Sequence, residues 1–140
     1  MDLKKIFIYT DGGSRGNPGK SAIGILIISP NGKVIYRHGE YIGEATNNIA
    51  EYTALIKALK NASENFHGEA SCFSDSELMV RQLNGKYKVK NFNIKKLFLK
   101  VKNLEKNFRK ITYTHVRRGN KNIVVVDSIV NRVLDEIGKN

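Results

Sequence analysis

Apolar positions along this 140-residue chain change rhythm about a third of the way in. Near the amino terminus they come in short dense runs, Leu3–Thr10, Ile23–Ser29 and Val34–Ile42, rich in Ile and in other β-branched and aromatic side chains. Runs of that length and composition predict three strands. The last two are joined by Ser29–Lys33, whose Asn31-Gly32 pair is a strong signal for a tight hairpin. The chain is therefore expected to open with an antiparallel meander.

The period then lengthens. Ile49, Tyr52, Ile56, Leu59 and Ala62 recur at three- and four-residue spacing, which predicts an amphipathic helix with Thr46 or Asn47 as its cap. Ala70–Asp75 reads as a short strand, and the segment from Ser76 as a short helix stopped by Gly85. After a basic connector, Leu97, Val101, Leu104 and Phe108 mark one stripe of a third helix, from about Ile94 to Phe108. Ile111, Tyr113 and His115 alternate with Thr112, Thr114 and Val116 as a fifth strand, and a final helix is expected over Val124–Ile137. Strands that alternate with helices after a meander imply crossovers. The expected fold class is α/β: a five-stranded mixed sheet, three antiparallel strands then two parallel, flanked by helices.

Composition narrows the picture. A hydrophobic fraction of 41% with only two prolines suits a packed core, and residues 1–140 are expected to form a single domain. No apolar run approaches the length needed to cross a bilayer, and the amino terminus lacks the pattern of a secretion signal, so a cytoplasmic protein with no membrane partner is expected. Cys72 is the only cysteine, which excludes disulfides within the chain and thiolate zinc sites. The three histidines, His38, His67 and His115, are scattered.

Charge adds a partner. Lys and Arg number 24 against 13 acids, a net charge of +11, which favours an anionic ligand such as nucleic acid. The excess is concentrated between Arg81 and Lys110, where eleven basic residues face one acid, Glu105. A solvated helix face would account for such a run by itself.

The acids fall at particular places. Asp11 ends the first strand and Asp75 the fourth, Glu51 lies in the first turn of the first helix, and Asp127 lies early in the last. In sheets of this type ligands gather beyond the carboxyl ends of the parallel strands. Three of them also have a structural reading, Asp75 as a helix cap, Asp127 as partner of a helix dipole and Glu51 as a surface acid, whereas Asp11, followed by Gly12 and Gly13, has no obvious structural job. Brought together, four carboxylates would repel unless a cation neutralised them. Oxygen ligands without Cys or His favour Mg²⁺ or Mn²⁺, and two such ions about 4 Å apart suit displacement at a phosphodiester. At this point the structural and the metal-binding readings both stand.

The motifs carry further. "YTDGGSRGNPGKSAIG", "ATNNIAEYTALIKAL", "FSDSELMVRQLNGKYKVKN" and "VVDSIVNRVLDE", in that order from about Ile6 to Glu136, resemble type 1 ribonuclease H. The resemblance implies a ribonuclease H-like fold and hydrolysis of the RNA strand of RNA–DNA hybrids, leaving 5′-phosphate and 3′-hydroxyl ends, with two Mg²⁺ ions per site for which Mn²⁺ can substitute. It implies Asp11, Glu51, Asp75 and Asp127 as metal ligands. Asn17, Asn47, Asn48 and Ser76 would contact nucleic acid, with the backbone of Gly12, Gly13 and Ser14 passing close to the RNA strand, where amides and carbonyls can test for the 2′-hydroxyl.

This chain departs from the family pattern in two places. Its short connector resembles the branch that lacks a basic helical protrusion, so Lys86, Lys88 and Lys90 are expected to supply part of the grip. Tyr87 and Phe92 interleave with them, either stacking on nucleic acid or buried. The loop before Asp127 is about two residues longer than the common pattern, with His115 twelve residues ahead of the acid and Ile123 where an asparagine is usual. His115 assists proton transfer or product release, or is only a strand-end residue. A monomer is expected. Two rivals stay open: a catalytically silent nucleic-acid-binding module, and a nuclease of the same fold acting on double-stranded RNA or branched DNA.

Overall fold

The computed structural model describes residues 3–139; residues 1, 2 and 140 of the expected domain span lie outside them. Five strands form one sheet in the order β3-β2-β1-β4-β5, where β1 is Lys5–Gly16, β2 Gly19–Ile28, β3 Val34–Ala45, β4 Glu69–Ser74 and β5 Lys110–His115. The first three pair antiparallel, and β4 runs parallel to both β1 and β5. This is the expected mixed sheet. Four helices accompany it: α1 Asn47–Ser63, α2 Glu77–Leu83, α3 Phe92–Leu104 and α4 Lys121–Gly138.

Strand alternation divides the core. Ile6 and Ile8 of β1 point to the face covered by α1 and α3, where Tyr52, Leu55, Leu59 and Val101 are buried. Phe7 and Tyr9 point to the opposite face and pack with Ile123 and Val126 of α4. Among the described residues no helix is long and apolar enough to cross a membrane.

β3 runs on to Ala45 rather than Ile42, and α3 spans Phe92–Leu104 rather than reaching Phe108, with a short 3-10 turn over Glu105–Asn107 after it. Three other boundaries differ from the sequence reading, each for a physical reason. The first strand does not give way to a loop at Asp11. It continues through Gly16, pairing residue by residue with β2 as far as Gly16↔Gly19. The backbone of Gly12 and Gly13 makes these ladder bonds without side chains, so a reading based on strand propensity stops too early. β2 correspondingly begins at Gly19 rather than Ile23. At the other end, α4 begins at Lys121 rather than Val124, because the Asn120 side chain accepts from the amides of Asn122 and Ile123 and starts the helix one turn earlier. Of the two candidate caps of α1, Thr46 is the one used, accepting from the Ile49 amide at 3.2 Å. Tyr87 and Phe92 are exposed, and the Lys96 ammonium lies 4.6 Å from the centre of the Phe92 ring.

Candidate active site

β1 delivers Asp11 on the face that α4 covers, as the alternation Phe7, Tyr9, Asp11 requires. Directly across the strand pair stands Gly24, where a Cβ would lie 2.5 Å from the carbonyl oxygen of Val126. The missing side chain lets α4 settle against the sheet at this level and brings its next residue, Asp127, to Asp11. Gly12 plays the same part on the other face. A Cβ there would stand 2.3 Å from the Ala50 carbonyl group, so the first turn of α1 can close onto the strand. The Gly12 amide donates to Glu51 Oε1 at 2.9 Å, which fixes that carboxylate beside Asp11. Asp75 arrives on the turn between β4 and α2, whose first turn is capped by Ser76 accepting from the Met79 amide.

Carboxylate oxygens of Asp11, Glu51 and Asp75 lie within 4.8 Å of one another. Asp11 is 7% exposed and Glu51 9%. Burial, then the charges of Asp75 and Asp127 and a hydrogen bond shared with Asp127, push the Asp11 carboxyl up to about 8. Burial, with Asp11 and Asp75 behind it, also holds Glu51 well above the ordinary carboxylate range. Such a group resists giving up its protons unless positive charge enters. The donor set is all oxygen, and neither His nor Cys lines the cleft among the described residues. The site therefore fits a hard divalent cation.

The acids open into a cleft of about 420 Å³ that also includes Gly12, Gly13, Ser14, Asn47, Asn48 and Ser76. Asn47 ties its wall together: its side-chain oxygen accepts from the Ser14 amide at 2.9 Å, and its own amide donates to Asn17 Oδ1 at 3.0 Å. Asn47 and Asn48 are shared with a second groove of about 290 Å³, completed by Asn17, Asn91 and Asn93.

Some expected residues lie apart. Lys86, Lys88 and Lys90 are on the connector between α2 and α3 and do not line the cleft. His115 ends β5, exposed, paired in register with Ser74 and outside the cleft lining. Others were missed by the sequence reading. Arg118, from the loop before α4, lines the cleft with its Nε 3.9 Å from Asp75 Oδ2. Arg15 and Asn131 line it too, and Asn131 Nδ2 donates to Asp127 Oδ2 at 3.3 Å. The four-residue helical spacing of Asp127 and Asn131 was a usable signal. So was the position of Arg118 in a basic loop leading to the fourth acid.

An α/β fold with a carboxylate cluster just beyond the parallel β1–β4 pairing, which ends at Tyr9 and Phe73, is compatible with metal binding. Comparison with known proteins gives the family. The model of the reverse transcriptase-like family matches residues 9–133. A bifunctional protein of Mycobacterium tuberculosis is 37% identical over 132 residues, covering 94% of this chain and 36% of that protein. The solved amino-terminal RNase H domain of that protein superposes with a TM-score of 0.91 at 36% identity, over 96% of both chains. Ribonuclease HI of Halobacterium salinarum is 34% identical over 132 residues, 94% of this chain and 65% of that protein. An RNase H1 crystallised in complex with an RNA/DNA hybrid shows a TM-score of 0.87 at 37% identity, over 94% of this chain and 98% of its own. The chain thus spans about a third of the mycobacterial relative and just under two thirds of the halobacterial one. It belongs to the reverse transcriptase-like family and, within it, to the type 1 ribonucleases H.

Proposed function

We propose that this protein hydrolyses the RNA strand of RNA–DNA hybrids, leaving 5′-phosphate and 3′-hydroxyl ends. The observation that carries the reading is the meeting of Asp11, Glu51 and Asp75 oxygens within 4.8 Å, with Asp127 beside them, in a chain closely similar to an RNase H1 crystallised with a hybrid.

Asp11, Glu51, Asp75 and Asp127 would hold two Mg²⁺ ions, or Mn²⁺ in their place. When bound, such a pair activates water for in-line attack and neutralises charge on the leaving oxygen. The chain's own work is to hold the acids ready. The Gly12 amide orients Glu51, the ladder of β1 keeps Asp11 rigid, and Asn131 steadies Asp127. The Gly12–Ser14 backbone forms one wall of the cleft, where the RNA strand would lie with its 2′-hydroxyls against main-chain groups. Asn17, Asn47, Asn48 and Ser76 would contact the hybrid along that wall, and the connector lysines would hold its phosphates at a distance from the reacting bond.

The test is cleavage of matched RNA–DNA hybrid, duplex RNA and duplex DNA with Mg²⁺ or Mn²⁺. Cutting of the hybrid's RNA strand alone, lost in Asp11→Asn, is expected. A purified protein that cuts no hybrid with either ion would sink the proposal.

A further inference from the structure

One contact at the cleft has no part in holding the acids. Arg15, near the end of β1, sends Nη2 to Asp135 Oδ1 at 2.7 Å and to the main-chain oxygen of Asn131 at 3.4 Å. Alternation along β1 puts Arg15 on the same face as Asp11 and Gly13, so it lines the same cleft. Lys20, exposed, stands directly across the strand pair and shares that face. The tip of the hairpin is therefore a basic edge beside the acid cluster. Asp135 is about two helical turns beyond Asp127 and does not line the cleft.

The ion pair is geometrically good and energetically slight. Its side chains are 48% and 60% exposed, so water and salt screen it. A guanidinium grips carboxylate and phosphate with the same planar fork. An arginine at the edge of a cleft that admits a nucleic-acid backbone, held by a weak solvent-exposed carboxylate, can change partners at little cost. We infer that Arg15 is a phosphate contact for bound nucleic acid, and that Asp135 competes with that phosphate and so lowers the affinity of the free protein. The inference rests on hybrid binding as proposed above, and it adds a contact on the α4 side of the cleft, opposite the asparagine wall.

A double-mutant cycle tests it. Binding of a labelled RNA–DNA hybrid is followed by fluorescence anisotropy in metal-free buffer, where no cleavage occurs, for the wild type, Arg15→Gln, Asp135→Asn and the double variant. Arg15→Gln is expected to weaken binding roughly three- to tenfold and to lower the slope of log affinity against log salt by about 1. Asp135→Asn is expected to tighten binding about two- to fivefold, the scale of an exposed ion pair. That gain should vanish in the Arg15→Gln background. A gain retained in the double variant would mean only that a repelling charge was removed, and would overturn the competition. Unchanged affinity and salt slope in Arg15→Gln would overturn the phosphate contact. A wild type that cuts no hybrid with Mg²⁺ or Mn²⁺ would instead take down the functional reading, and this inference with it.

Discussion

Gly24 stands directly opposite Asp11 in the β1–β2 pair, and its missing side chain is what admits α4. A Cβ at that position would lie 2.5 Å from the carbonyl oxygen of Val126, the residue before Asp127. One glycine thus sets the separation between two acids on different elements. Gly24→Ala should force α4 outward, costing about 1–3 kcal/mol as overpacking does. Hybrid cleavage should fall even at temperatures where denaturation curves show the variant fully folded. Full activity in a folded Gly24→Ala protein would show that α4 placement tolerates the shift.

Asp11→Asn should remove activity and stabilise the metal-free protein. The Asp11 carboxyl is pushed up from 3.8 to about 8, so the folded state holds its proton more tightly than the unfolded chain. The stability this contributes is fully present below pH about 4 and is lost as pH rises through about 8. Near neutrality the wild type therefore carries a penalty that asparagine lacks. Urea denaturation in EDTA between pH 5 and 8 measures it, and the two stability curves should diverge as pH rises.

Metal should reverse that order. A divalent ion that binds only the folded cluster stabilises by about 2.7 kcal/mol at a hundredfold excess over its Kd. Thermal melting with added Mg²⁺ or Mn²⁺ should rise in the wild type and much less in Asp11→Asn. Equal shifts in the two proteins would place the ion elsewhere.

His115 and Arg118 belong to the same stretch before α4, yet only Arg118 lines the cleft. Arg118→Ala is accordingly expected to lower hybrid turnover more than His115→Ala does. General acid–base catalysis contributes about 10²-fold or more, so a loss of that size in His115→Ala would assign proton transfer to the histidine.

The connector lysines predict a different signature. Replacing Lys86, Lys88 and Lys90 together by Gln should raise KM and flatten its salt dependence, with kcat little changed. The slope should fall by up to about 0.9 for each phosphate that these lysines neutralise. Unaltered salt dependence would remove the connector from the binding surface.

Much of the architecture was legible because its signals are local. The three-and-four spacing from Ile49 to Ala62, the Asn31-Gly32 turn and the alternation from Ile111 to Val116 each act over a few residues and placed the elements in their right order. The stretch after Asp11 misled for the converse reason. Glycines carry no strand signal, and the pairing of Gly12 and Gly13 with β2 depends on partners about ten residues further along the chain.

By itself, then, the sequence determined the order of strands and helices and the mixed sheet they imply, and it singled out Asp11, Glu51, Asp75 and Asp127. Tertiary structure decided the rest. It carried β1 past the acid to Gly16, let α1 and α4 approach at Gly12 and Gly24, tied Arg15 to Asp135, and brought Arg118 rather than His115 to the cleft. Periodicity and turn chemistry are read along the chain, whereas distances across a sheet depend on which side chains are absent where two elements meet.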